Sequence, residues 1–193
     1  MKLNKEYWEN RYQNKSTKWD IGYVSTPIKE YLDQIHNKNT KILLPGGGNG
    51  YEAVYAFNSG FKNTFLLDIA KHPLENFKNQ NPSFPDTQII KDDFFNHQEK
   101  YDLIIEQTFF CALLPEQRSA YAKKAATLLN EKGIIAGVLF NFPLTEKGPP
   151  FGGSIDEYKS CFSPYFNIHK LETCYNSIKP REDNELFFIF EKK

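Results

Sequence analysis

The chain has no Gly-Lys-Ser/Thr behind its glycine-rich loop, no C-x-x-C pair, no unbroken apolar run of membrane-spanning length and no excess of either charge. Each absence excludes a class. Without the lysine and hydroxyl of a P-loop, the glycines are not built to seat a nucleoside triphosphate. Three cysteines, Cys111, Cys161 and Cys174, stand far apart and odd in number, which argues against a disulfide framework and a zinc site and leaves reduced thiols as the expectation. The four histidines are scattered, so no metal is expected. Twenty-four basic and twenty-four acidic residues cancel, leaving no long-range field to draw in nucleic acid or an anionic membrane. The first twenty residues have no apolar core of the signal-peptide kind, which places the protein in the cytoplasm as an expectation. At 193 residues it is expected to form one domain and a monomer, with a small molecule as its ligand.

What is present in quantity is aromatic: seventeen Phe and eleven Tyr help bring aromatics to 16% of the chain. Some of these rings fill the core, and others lie beside Gly and Pro, where a ligand pocket forms. Residues 26–36 place Ile28, Leu32 and Ile35 at helical spacing, with Thr26 as cap and Pro27 in the first turn. Thereafter strand and helix alternate. "KILLP", "NTFLLDIA", "TQIIKDD" and "YDLIIEQT" read as strands one to four, with "GYEAVYAFNSG" and "HPLENFKNQN" as helices between them. "PEQRSAYAKKAATLLNEKG" reads as a helix from Pro115 to Gly133, followed by "IIAGVLFNF" as strand five. After a Gly/Pro-rich loop come a short helix, "IDEYKSCF", and two strands, "FNIHKLETCY" and "ELFFIFEKK", joined by the turn-like "KPREDN". The alternation predicts an α/β fold, a Rossmann-like, mostly parallel sheet with helices on both faces. Its antiparallel end departs from a nucleotide oxidoreductase, which normally closes with another crossover.

The loop "PGGGNGYEA" spaces Gly46-x-Gly48-x-Gly50 and puts Tyr51 where a dinucleotide fingerprint needs its third glycine. Such a loop still bends sharply and presents backbone amides at a helix N-terminus, a geometry suited to a nucleoside joined to an amino acid with no phosphate to clamp. S-adenosylmethionine is such a ligand. Asp68 closes the second strand about twenty residues past the loop, either as a ribose acceptor or as a cap for the next helix. Asp93 and Phe94 follow the third strand, where a carboxylate can take an adenine amino group and a ring can lie on the base. Asp92 is the alternative acid, and a plain turn is the other reading. Trp8, Tyr12 and Trp19 form an aromatic lead-in over residues 1–37, a cap that can exclude water and attract a sulfonium by cation–π contact.

These residues resemble the thiopurine S-methyltransferase family, with its thiol and halide methyltransferases. The likeness runs through "YWENRY" with "KWDIGYVSTPI", "LLPGGGNGYEA", "KDDFFNH" with "YDLIIEQTFFCALLPEQRSAYA", and "FPLTEKGPPFGGSIDEYKSCFSP". The segment "TFFCALLPEQRSAYA" is the most specific. The resemblance implies a class I methyltransferase, a seven-stranded sheet with an antiparallel last strand, and a small soft acceptor such as a thiol, bisulfide, thiocyanate, halide or thiopurine. It implies cofactor contacts at Trp8, Tyr12 (where Trp is usual), Trp19, Gly46, Gly48, Asp68, Asp93, Phe94 and Gln107. Gln107 replaces a frequent Tyr or Arg, and Gly47 a frequent Cys. The expected acceptor pocket is Trp19, Phe109 and Phe110, with "KGPPFGG" and Tyr158 as lid; Phe109 and Phe110 read equally as buried packing. Cys111 is expected to be a small buried residue and Arg118 to sit on the exposed face of the long helix. No general base is expected, because soft anions arrive deprotonated. A cofactor-binding protein without activity and an NAD oxidoreductase are the other classes the sequence admits.

Overall fold

The structure is a computed structural model and describes residues 2–193. Seven strands form one sheet in the order β3-β2-β1-β4-β5-β7-β6. They are β1 (Ile42–Pro45), β2 (Thr64–Asp68), β3 (Ile89–Lys91), β4 (Tyr101–Gln107), β5 (Leu129–Phe140), β6 (Phe166–Thr173) and β7 (Glu185–Lys192). Only β7 runs against the others: it pairs antiparallel with both β5 and β6, so the sheet is mixed as the C-terminal hairpin led us to expect.

Helices cover both faces because the parallel strands alternate two apolar sets. Ile42, Leu44, Leu103 and Ile105 belong to the core beneath α2 (Thr26–Asp33), α3 (Tyr51–Asn58) and α4 (Lys71–Gln80). Leu43, Ile104 and Ile135 belong to the core beneath α5 (Arg118–Leu128) and α6 (Ile155–Phe162). This second core holds many of the chain's rings, with Phe162 packed among Phe110, Phe166, Phe188 and Phe190. A nine-residue helix, α1 (Lys5–Gln13), buries none of its residues fully and lies outside these layers.

Four local expectations need correcting. The fifth helix ends at Leu128, not Gly133, because Leu129 already pairs with Tyr101 of β4; residues 130–133 then bulge, with Lys132 at φ 57°, before Ile134 pairs with Leu103. Sheet pairing outweighs the helical pattern there. Helix α2 stops at Asp33 rather than His36, and Ser25, not Thr26, stands at its cap position. Strand β3 keeps only three of its expected residues, since Asp86–Gln88 forms a 3-10 turn and Asp92 and Asp93 lie beyond it. Arg118 is buried rather than exposed: its Nη1 donates to Glu157 of α6 at 2.6 Å, its Nη2 to the Phe151 carbonyl at 3.3 Å, and its guanidinium lies over the Phe110 ring. Among the described residues no helix is long and apolar enough to cross a membrane.

Candidate active site

At the carboxyl ends of β1, β2, β3 and β4 the chain turns outward, and a cavity of about 750 Å³ opens there. That is within the usual size of small-molecule pockets, about 300–1,000 Å³. In open α/β sheets a ligand crevice forms where the strand order reverses, here between β1 and β4.

The glycine loop makes its floor. Gly46 and Gly48 adopt φ of 59° and 53°, a left-handed backbone that L side chains rarely take. Space is also closed: a Cβ at Gly46 would run into the Phe109 ring, and one at Gly48 into the Tyr12 hydroxyl. Gly47 is not left-handed, and a side chain there would need Leu66 to move. The loop therefore holds bare backbone against two aromatic side chains, and it leads directly into α3.

Asp68 sits against this loop. Its Oδ2 accepts the Gly48 N–H at 2.9 Å and its Oδ1 the Ala70 N–H at 2.8 Å. Asp68 lies on the cavity wall, and the N–H it takes toward α4 is that of Ala70, the residue before the helix begins, so it does not cap that helix. Burial is the largest influence on this carboxyl and pushes it up to about 6, against the pull of the backbone N–H groups. Asp92 and Asp93 both line the cavity. Asp92 accepts the N–H of Asp93, and Asp93 that of Phe95, so neither is singled out as the acid. Phe94 borders the cavity but is only 2% exposed, with one face stacked on Tyr121 at 5.0 Å; a base laid on that ring would require it to move. Half-buried Phe95 stands beside it.

Trp8, Tyr12 and Trp19 come together as expected of a cluster. Trp19 receives both other rings edge-on, at 5.6 and 5.8 Å, and Arg11 lies over its face at 5.3 Å. Burial pushes the Tyr12 phenol well up, so it stays protonated. Asp20 ties this lead-in to the floor by accepting Asn49 Nδ2 at 2.5 Å and the Tyr51 hydroxyl at 3.4 Å.

The expected acceptor wall is divided. Trp19 and Phe109 line the cavity, while Phe110 and Tyr158 do not: each is 1% exposed, and the Tyr158 hydroxyl donates to the Phe140 carbonyl at 2.6 Å. These two rings belong to the α5–α6 core. From the Gly/Pro-rich loop, Pro149 and Pro150 reach the cavity. Cys111 also borders it, 7% exposed, and burial pushes its thiol far up, which keeps it un-ionised and inert.

Three groups were missed in the sequence. Glu106, fully buried, accepts the N–H groups of Phe109 and Phe110, both at 2.8 Å, and the Tyr121 hydroxyl at 2.5 Å. It thereby fixes the turn that follows β4, and burial pushes its carboxyl up to about 7. Glu52, in the first turn of α3, accepts the Ser25 N–H at 3.0 Å and faces the cavity. Arg181, from the "KPREDN" turn, donates to the Trp19 carbonyl at 2.8 Å and lies along the Glu185 carboxylate at 3.4 Å, placing a cation on the cavity wall. No sequence spacing signals these contacts; the acid at the end of "YDLIIE" and the lone arginine in a turn were the available hints.

Comparison with known proteins bears on this geometry. The family model described as Thiopurine S-methyltransferase (TPMT) matches residues 3–192. A probable thiol methyltransferase 2 of Arabidopsis thaliana is 31% identical over 162 residues, covering 81% of this chain and 71% of that protein. Thiocyanate methyltransferase 1 of Brassica oleracea is 29% identical over 184 residues, covering 92% and 81%. Among solved structures, magnesium protoporphyrin IX methyltransferase of Synechocystis PCC 6803 with bound SAM superposes with a TM-score of 0.75 at 12% identity, covering 98% of this chain and 95% of that one. At that identity the likeness is one of fold.

Proposed function

The chain belongs to the thiopurine S-methyltransferase family, and from that premise we propose that it moves a methyl group from S-adenosylmethionine to a small soft anion, a thiolate, bisulfide, thiocyanate or halide. The observation that carries the reading is the pairing of a side-chain-free loop at Gly46 and Gly48 with the adjoining Asp68 carboxylate on the wall of one cavity. The fit to the cofactor is good. Asp68 spends one lone pair of each oxygen on a backbone N–H and keeps others for ribose hydroxyls. Asp93 or Asp92 would take the adenine amino group, and the glycine loop admits the methionine portion close to the backbone. Trp8, Tyr12 and Trp19 would close over the sulfonium and keep water from it.

When bound, the cofactor would supply an electrophilic methyl carbon, which the acceptor would take as the carbon–sulfur bond gave way and its electron pair returned to the sulfonium. The residues of the chain position and desolvate the acceptor, and no side chain has to remove a proton. Arg181 and the half-buried rings at Trp19 and Phe109 suit a weakly hydrated anion. An NAD oxidoreductase is disfavoured by Tyr51 in place of a third glycine and by the antiparallel β7.

Calorimetric titration with S-adenosylhomocysteine and with NAD tests the cofactor assignment. Saturable binding of the first and none of the second is expected. NAD binding with no response to S-adenosylhomocysteine would overturn it.

A further inference from the structure

We infer that Gln107 is an acceptor-selecting residue, presenting a fixed amide N–H that favours ambident soft anions, those with a second atom able to accept a hydrogen bond, over monatomic ones. The inference rests on the methyl-transfer reading above.

Gln107 is the last residue of β4, at the boundary between two halves of the cavity. On one side lie the tips of β1, β2 and β3 with the glycine loop and Asp68. On the other lie Phe140, at the end of β5, and Arg181, before β7. The first half is taken by the cofactor, so the acceptor approaches over the second, and Gln107 stands between them.

Its amide is not free to rotate. The Ser25 hydroxyl donates to Gln107 Oε1 at 2.8 Å. Ser25 is itself 2% exposed, and its N–H donates to Glu52 Oε1. The pre-α2 segment is held in turn by Arg181 on the Trp19 carbonyl and by Asp20 on Asn49. With Oε1 committed to Ser25, Nε2 is the outward end. It has no hydrogen-bond acceptor among the described residues, and Gln107 itself lines the cavity. An amide N–H with no protein partner at the acceptor half costs nothing in water and gains when an anion arrives that can accept from it. Thiocyanate meets that requirement: its sulfur attacks the methyl carbon while its nitrogen remains to accept. Iodide is large, diffuse and a poor acceptor, and it offers no second atom.

The test uses the full chain saturated with S-adenosylhomocysteine, titrated with potassium thiocyanate and, separately, potassium iodide, and followed by isothermal titration calorimetry at constant ionic strength. Wild type is expected to bind thiocyanate more tightly than iodide. Gln107→Leu should weaken thiocyanate about tenfold or more, the size of a lost hydrogen bond to a charged group, while shifting iodide less than about threefold. Ser25→Ala, which frees the amide without deleting it, should weaken thiocyanate in the same direction by less. Thermal unfolding of each variant checks the fold, and S-adenosylhomocysteine affinity is measured on each so that every anion titration is run at cofactor saturation. Equal losses for both anions, or a loss confined to S-adenosylhomocysteine, would overturn the inference, as would a wild type that does not discriminate. If wild type selects thiocyanate in binding but yields no methylated product, the transferase reading fails and the role of Gln107 stands.

Discussion

On the proposed function, Asp68 is the residue on which cofactor affinity should turn. It is 5% exposed, and its carboxyl is raised to about 6 by burial. The sign of the consequence is fixed. A raised pKa means that the charged form is disfavoured in the free protein, so this group's contribution to stability is greatest below its unfolded value and is lost as pH rises through about 6. The ligand reverses the preference, because ribose hydroxyls donate to the ionised carboxylate. Affinity for S-adenosylhomocysteine should therefore be constant above pH 7 and fall as pH drops below about 6. Asp68→Asn should weaken binding at pH 7.5 by about tenfold or more and abolish that pH dependence. Calorimetry at pH 5.5 and 7.5 on both proteins checks this, and a variant that kept the wild-type pH profile would assign the titration to another group. Asp68 was legible in the sequence because strand, loop and acid follow one another locally. Ser25, Glu52 and Gln107 were not legible as one network, because the contacts join residues 27 and 82 positions apart. Arg118 was misread for the same reason: its partner Glu157 lies 39 residues on, in a helix whose placement no local pattern discloses.

At the scale of elements, α1 is held by few contacts. None of its residues is fully buried, yet Glu9 reaches α4 and accepts the N–H of Lys71 at 2.7 Å and of His72 at 3.2 Å. It caps a helix whose own cap position, Ala70, supplies no side-chain acceptor. The same contact fixes α1, with Trp8 and Tyr12 on it, over the glycine loop. Glu9→Ala should speed S-adenosylhomocysteine release about fivefold, in line with the loss of one helix cap. Stopped-flow displacement measures this, and an unchanged off-rate would show that the aromatic contacts alone hold the lead-in. The strands themselves followed from apolar runs and turn residues such as Pro45 and Gly60, whereas their order in the sheet is seen only in the structure. The end of α5 did not, since "TLLNEKG" carries helical periodicity and only the pairing of Leu129 with Tyr101 turns it into strand. Phe110 and Tyr158 likewise carry no mark in sequence that separates a cavity wall from the core behind it.

As a whole, the molecule is a sheet with two apolar cores and one open edge. The α5–α6 core buries Glu106 beneath the turn after β4, where it carries Phe109 against Gly46. The N-terminal segment crosses the same edge and ends in the Ser25 contact to Gln107. The glycine loop, the Trp8–Tyr12–Trp19 cluster and the wall at Gln107 and Phe109 thus converge on β1 and β4, the two strands between which the sheet order reverses. Methyl transfer follows from that convergence only if donor and acceptor occupy the cavity together. The direct measurement is a single turnover with methyl-labelled S-adenosylmethionine and thiocyanate, with headspace detection of the product. The account predicts labelled methyl thiocyanate and S-adenosylhomocysteine in equal amounts. Labelled cofactor that binds and returns intact in the presence of thiocyanate, bisulfide, iodide and aromatic thiols alike would contradict it.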